Sequence, residues 1–374
     1  MSDAGVDKVA AERARRRRGF VGHTGWRPFA LAMALGAAGG YAFHLMRMPL
    51  AWMMGAALVG TVAAMSGARI GVPNRLRQVM MVVLGVLLGS GFRPEMVEQI
   101  PRWSATMGVL LLVSLSSALV VYWLFRVRGG YDGRTAYFAA MPGGLNEMVT
   151  LGAVYGGNER TIALMHAVRI LVVVMTIPFW YRWMYGTTSS VFDAAKAVAP
   201  LTPVDVAILV ACGVVGAFVA LRVRMPAAMM FGPMLVSGAV HLLGWTASKP
   251  PGELVALAQV VIGAAIGCRF VGAILREVMR DIAYGVAAAY VLILIAVGFA
   301  WLGHVISGLP TDDIVLSYAP GGFAEMSLVG LALGADIAMV ATHHLFRIFA
   351  IVGFGGYFFR RFLEPRLGPA PTED

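Results

Sequence analysis

The sequence predicts an all-α integral membrane protein of two homologous, inverted repeats, with about 10–12 hydrophobic helices and one Pro-Gly-Gly broken helix per repeat. Three observations lead there. Apolar residues make up 59% of the 374 and charged residues only 13%, against about 45–50% and about 25% in soluble domains. The apolar residues form long continuous runs, such as Met107 to Phe125, unlike the alternating strands of a membrane barrel. A Pro-Gly-Gly-x-x-Glu-Met element occurs twice. This composition excludes a disordered chain and argues against a soluble enzyme, whose polar surface needs more charge.

The chain opens on a basic tail, residues 1–24, where Arg13, Arg15, Arg16, Arg17 and Arg18 precede the first apolar run. The net charge is +10, and its concentration here reads as a cytoplasmic anchor under the positive-inside bias. Arg17-Arg18-Gly19-Phe20-Val21 imitates a twin-arginine export signal, but a secreted protein would not carry many further apolar spans. Repeat 1, residues 25–196, contains apolar segments at Pro28–Leu45, Leu50–Met65, Gln78–Phe92, Ala105–Phe125, Thr135–Gly156 and Ile162–Tyr185. Repeat 2, residues 200–363, contains Val204–Leu221, Ala227–Leu243, Leu254–Phe270, Ile282–His304, Ile314–Gly334 and Ile337–Phe359. Residues 364–374 form a polar C-terminal tail. Several segments are short for a span or interrupted by glycine and proline, the pattern of a transporter with broken helices. Cys212 and Cys268 lie within apolar segments and read as small core residues.

The two halves are in register. Met141 to Met148 (Met-Pro-Gly-Gly-Leu-Asn-Glu-Met) recurs as Ala319 to Met326 (Ala-Pro-Gly-Gly-Phe-Ala-Glu-Met), displaced by 178 residues. The same displacement pairs His166 with His344, Arg169 with Arg347, and Gly85 with Gly263. Arg47-Met48-Pro49 meets Arg224-Met225-Pro226 at 177. Register held this far predicts an internal duplication.

Loop charges predict the relative orientation of the copies. Arg69, Arg75 and Arg77 in the first copy face Lys249 and Glu253 in the second; Arg126, Arg128 and Arg134 face Asp312 and Asp313. The intervening loop reverses the bias: Arg93 and Arg102 are balanced by Glu95 and Glu98, whereas the second copy has Arg269, Arg276 and Arg280. The first copy ends on Arg182 and Lys196, the second on Arg360, Arg361 and Arg366. Equivalent loops alternate in opposite phase, which favours inverted copies with both termini cytoplasmic.

The candidate site lies in the duplicated element: Pro142, Gly143, Gly144, Asn146 and Glu147, with Pro320, Gly321, Gly322 and Glu325 in the other copy. Proline removes an amide donor, and paired glycines release the chain from helical geometry. Such a break is tolerated at membrane depth only where protein or a water-filled cavity satisfies the backbone. Helix resuming after the glycines places each glutamate in a first turn, where the dipole favours a carboxylate. His166 with Arg169, and His344 with Arg347, share helix faces by their spacing. Ionisable groups in apolar segments pair or line a pathway. Each arginine thus either neutralises the glutamate of its own copy or takes part in substrate or proton handling. The histidines read as helix–helix hydrogen-bond partners or as titrating groups.

The duplicated Pro-Gly-Gly-x-x-Glu-Met, followed about 20 residues later by His-x-x-Arg, resembles the bacterial membrane AbrB family. These AbrB-duplication proteins are also labelled ammonia monooxygenases or transcriptional regulators. The resemblance covers roughly residues 25 to 363 and implies an inner-membrane, multi-pass protein. A copper monooxygenase needs clustered histidine ligands. His23, His44, His166, His241, His304, His343 and His344 form no suitable cluster in the sequence, so neither a metal nor a cofactor is expected. No Gly-x-Ser-x-Gly elbow, Walker loop or His-Glu-x-x-His pair occurs, so no catalytic residue is assigned and an enzyme is not expected. The methionines around Met46, Met48, Met53 and Met54 read as adaptable packing, and Gly39-Gly40 as a close helix approach.

The reading is an inner-membrane secondary transporter or exporter of a small solute, coupled to an ion gradient, with one copy moving against the other. Helix N-termini and arginines suggest an anion; paired glutamates suggest a cation. The alternative is a membrane-embedded sensor or regulator of gene expression, and a weaker one is a membrane oxidoreductase. Expected partners are the lipid bilayer, a small-molecule or ion substrate and a second copy in a homo-oligomer, with no nucleic acid.

Overall fold

The computed structural model describes residues 20–92, 96, 99–185, 201–225, 227–273 and 275–367. The arginines at 13–18, Arg93, Glu95, Glu98, Lys196, Pro226, the side chain of Arg276 and the tail beyond 367 lie outside the described residues.

The first half of the chain forms α1 (Trp26–Leu45), α2 (Ala51–Met65), α3 (Asn74–Gly89), α4 (Ile100–Trp123), α5 (Gly133–Ala140), α6 (Leu145–Val154) and α7 (Glu159–Tyr185). The second forms α8 (Pro203–Arg222), α9 (Ala228–Leu242), α10 (Gly252–Gly267), α11 (Leu275–Ser307), α12 (Thr311–Tyr318), α13 (Phe323–Leu333) and α14 (Ile337–Phe358), before a last turn, α15 (Glu364–Leu367). Among the described residues, seven helices are long and apolar enough to cross a membrane: α1, α4, α7, α8, α10, α11 and α14. The chain is therefore a helical membrane protein. The helices α2, α9 and α13 are apolar but shorter.

The segments Thr135–Gly156 and Ile314–Gly334 do not run as single helices. Each is a pair of short helices, α5–α6 and α12–α13, separated at Pro-Gly-Gly. One amendment to the all-α expectation concerns the start of the chain. Within residues 1–24, β1 (Phe20–Gly22) pairs antiparallel with β2 (Gly71–Pro73), Val21 opposite Val72. Gly71 is needed there because the His23 carbonyl occupies the space a Cβ would fill.

The helices fall into two compact units, each drawing on both halves of the chain. The first contains β1, β2, α1–α3 and α8–α10. Its helices meet backbone to backbone at glycines. A Cβ on Gly39 would strike Gly55, and one on Gly216 would strike Gly232 and Pro233, so α1 seats on α2 as α8 seats on α9. Gly85 of α3 faces the Met230 carbonyl of α9, and Gly263 of α10 faces the Met53 carbonyl of α2. Small residues give membrane helices the close approach that dispersion forces need. The turns before α2 and α9 share an unusual conformation. Arg47 and Leu50, then Arg224 and Ala227, all take positive φ, from 51 to 57°, at a cost of roughly 1–2 kcal/mol each.

The second unit contains α4–α7 and α11–α15. Two apolar clusters hold it together. Trp103, Val109 and Leu110 of α4 pack with Ala296 and Ala300 of α11, Tyr318 of α12 and Met339 of α14. Phe125, Phe138, Met165, Leu292 and Phe359 form the other. The long helix α7 links the two short-helix pairs. At its start the Asn158 amide donates to Thr135 Oγ1 (2.8 Å) on α5; near its end the Tyr181 hydroxyl donates to the Asp312 carbonyl (2.8 Å) on α12. These points are roughly 35 Å apart by helical rise. The helix α14 does the reverse. The Asp336 amide before its start donates to Asp313 Oδ1 (3.0 Å), and the Gly355 carbonyl near its end accepts from the Tyr137 hydroxyl (2.8 Å).

Candidate site at the paired helix breaks

Every position of the Pro-Gly-Gly-x-x-Glu-Met element has a structural task in the second unit. Proline follows Met141 and Ala319, where the backbone leaves helical geometry for the extended region. The first glycine makes room for the methionine five residues on: a Cβ at Gly143 would meet the Met148 sulfur, and one at Gly321 the Met326 side chain. The second glycine makes room for the glutamate. Cβ atoms at Gly144 and Gly322 would collide with the carboxylates of Glu147 and Glu325. Gly144 and Gly322 are the N-caps of α6 and α13, and each glutamate folds back over the cap from the first turn. That places the carboxylate beside the positive end of the helix.

The arginines clasp the other side of the break. Arg169 Nη1 donates to the Met141 carbonyl (3.1 Å) and Nη2 to the Gly143 carbonyl (3.0 Å). Arg347 repeats this on the Ala319 (2.7 Å) and Gly321 (3.0 Å) carbonyls. These carbonyls sit where helix interruption leaves acceptors open, and a guanidinium fork spans two of them at once. Both arginines are buried. Both arginines thus hold two backbone oxygens of the break, partners that the sequence expectation of a simple arginine–glutamate pair omits.

The histidines diverge. His166 Nε2 donates to the Phe138 carbonyl (2.9 Å), tying α7 to α5. His344 Nδ1 accepts from Arg347 Nη2 (3.1 Å) within α14. Next to it, His343 faces α4, with Nδ1 on the Met339 carbonyl (2.8 Å) and Nε2 against Thr106 Oγ1 (2.8 Å). All three are buried. Asn146 is exposed, and its counterpart Ala324 is buried. Pro142, Gly143, Pro320 and Gly321 are buried, whereas Gly144, Glu147, Gly322 and Glu325 are half-buried. Among the described residues, no three of His, Cys, Asp and Glu gather as metal ligands.

Sequence reasoning missed the fastenings at the outer ends of the breaks. Thr135 accepts the Asn158 amide as Asp313 accepts the Asp336 amide; Asn158 caps Thr161 as Asp336 caps Met339. The three equivalences, Thr135 with Asp313, Asn158 with Asp336 and Thr161 with Met339, obey the displacement of 178, which was the available signal. Asp313 lies outside the membrane-spanning helices, and burial pushes its carboxyl up to about 6, with Asp336 and Asp312 adding to the shift.

Fold and site together define a polytopic helical membrane protein with a buried arginine at each of two helix breaks. The family model described as "Transition state regulatory protein AbrB" matches residues 52–363. The chain belongs to this AbrB family. It is 24% identical to the AbrB protein of Escherichia coli strain K12, a candidate regulator by name, over 83% of this chain and 89% of that protein. It is 26% identical to the uncharacterized protein YhjN of Bacillus subtilis strain 168, over 88% and 91%.

Proposed function

We propose that this chain is an inner-membrane secondary transporter of a small solute, formed by two inverted repeats, with its binding site at the paired helix breaks. The observation that carries this reading is the duplicated clasp: Arg169 on Met141 and Gly143, Arg347 on Ala319 and Gly321. Each clasp holds open a helix N-terminus with a carboxylate on it, the arrangement transporters use to meet charged solutes at the membrane midplane. Two buried guanidiniums favour an anion, and Glu147 and Glu325 are the groups to carry a coupling proton or cation. Inversion draws support from α7, whose opposite ends fasten Thr135 of one copy and Asp312, beside the equivalent Asp313, of the other. With the basic tail inside, both termini are cytoplasmic.

A second reading, a membrane-embedded regulator, rests on the family description and the name of the Escherichia coli relative. Proteoliposome flux separates the two. A panel of small organic anions, amino acids and inorganic ions is screened for uptake driven by an imposed pH or sodium gradient. The transporter reading expects at least one saturable flux, abolished in Glu147→Gln and in Glu325→Gln while both variants stay monodisperse. Flux unaffected by both substitutions removes the assigned role, and no flux with any solute favours the regulator.

A further inference from the structure

At one end of the second unit, two helices finish in π turns. Leu124–Arg128 closes α4, and Phe359–Leu363 closes α14. Such turns are rare and recur at functional sites. Both carry exposed arginines: Arg126 and Arg128 on the first, Arg360 and Arg361 on the second. The turns share one end of the unit, because Phe125 and Phe359 belong to the same cluster and Leu367 lies against Gly133. Arg280 is there too, over the Tyr131 ring at 5.0 Å. Of the acids at this end, Asp281 accepts the Tyr131 hydroxyl, Asp132 caps α5, and Glu364 follows the second turn. The arginines hold the excess charge.

Between α4 and α14, below these turns, runs an apolar groove of about 380 Å³. Ala118 and Tyr122 on α4, and Phe354 and Phe358 on α14, form its walls; Met141 and Pro142 of the helix break line it as well. Arg126 follows Tyr122 by four residues, and Arg361 follows Phe358 by three. Each wall therefore ends in an arginine about one helical turn beyond its last aromatic lining residue. Arg126 is oriented by one bond to the Tyr131 carbonyl (2.9 Å) and Arg361 by the Phe362 ring at 5.6 Å. A guanidinium has five donors, so both retain capacity for a phosphate.

We propose that this groove binds one anionic phospholipid, its acyl chain between α4 and α14 and its phosphate against Arg126 and Arg361. A polar solute would find few groups to bond to along the walls, where Ser114, Tyr122 and Tyr137 carry the side-chain hydroxyls. An acyl chain matches the walls, and the paired arginines match a headgroup with uncompensated negative charge. A zwitterionic headgroup brings its own ammonium and gains less. Bound there, the lipid chain would touch the Met141–Pro142 junction directly. The site does not depend on transport.

The test uses the full-length protein, delipidated by detergent exchange and titrated with dioleoyl phosphatidylglycerol, dioleoyl phosphatidylcholine or inorganic phosphate. Native mass spectrometry counts retained lipid, and thermal unfolding reports its effect. The wild type is expected to retain one phosphatidylglycerol, to gain thermal stability from it, and to respond to neither of the other two. The Arg126→Gln/Arg361→Gln variant should retain phosphatidylglycerol about tenfold more weakly. Ala118→Trp, which fills the groove and leaves the arginines in place, should lose it as well. Equal retention of the two lipids, a matching response to phosphate alone, or unchanged retention in either variant overturns the proposal.

Discussion

Arg169 and Arg347 each satisfy two carbonyls that helix interruption leaves open. Losing one arginine strands two buried acceptors, each at about 1–3 kcal/mol. Arg169→Met is therefore expected to lower unfolding stability in detergent by about 2–5 kcal/mol. Arg169→Lys should recover only part of this, because an ammonium cannot span both oxygens as a fork does. A lysine variant as stable as wild type would show that the fork geometry is irrelevant. Asp313 predicts a pH effect at the same scale. Its folded-state pKa of about 6 stands above the ordinary carboxyl value of 3.8, so the folded protein holds the proton more tightly. That contribution is fully present below about pH 4 and is lost as pH rises through about 6. Asp313→Asn keeps the oxygen that accepts the Asp336 amide and removes the charge. It should raise the melting temperature at pH 8 and converge with wild type near pH 4; a difference that does not change with pH would contradict the burial argument.

At the scale of elements, most helices were legible because continuous apolar runs bounded by Gly, Pro and Arg leave few alternatives. The interruption after Ala140 was legible because Pro-Gly-Gly cannot continue a helix. The arginine targets were not. Sequence spacing puts Arg169 on a face with His166, but its partners are carbonyls 26 and 28 residues away, chosen by how α7 packs on the break. The Thr135 and Asp313 fastenings were obscured because a hydroxyl and a carboxylate do the same work in the two copies. The π turns and the short β1–β2 ladder carry no clear residue signature. The close helix approach read from Gly39-Gly40 has a specific partner. Gly55 faces the backbone of Gly39, and Gly232 that of Gly216. Gly55→Ala and Gly232→Ala should each cost about 1–3 kcal/mol, the range for overpacking, read as a lower melting temperature. Gly67→Ala serves poorly as a control because its φ is +89°. Gly108→Ala, which meets open space and has no positive φ, should be close to neutral.

At the scale of the whole chain, orientation is the property on which the inverted reading stands. Arg128 ends α4 on the face where the Tyr284 hydroxyl reaches its carbonyl, beside Tyr131 and the start of α5. Asp312 opens α12 where Tyr181 of α7 reaches it. Between them lies the full length of α7, roughly 35 Å by helical rise, which matches about 30 Å of hydrocarbon. Positively charged loops tend to stay in the cytoplasm, so the inverted reading expects Arg128 inside and Asp312 outside. A parallel duplication would require the starts of α5 and α12, equivalent in sequence, to share one side. Single cysteines at Arg128 and Asp312, in a background with Cys212 and Cys268 replaced by alanine, can be labelled with a membrane-impermeant maleimide in intact cells. Both native cysteines are buried, so their removal should be tolerated. The Asp312→Cys variant is expected to react from outside, and the Arg128→Cys variant only after permeabilisation. Reaction of both from the same side would defeat the inversion and, with it, the convergence of two opposed helix breaks on one site.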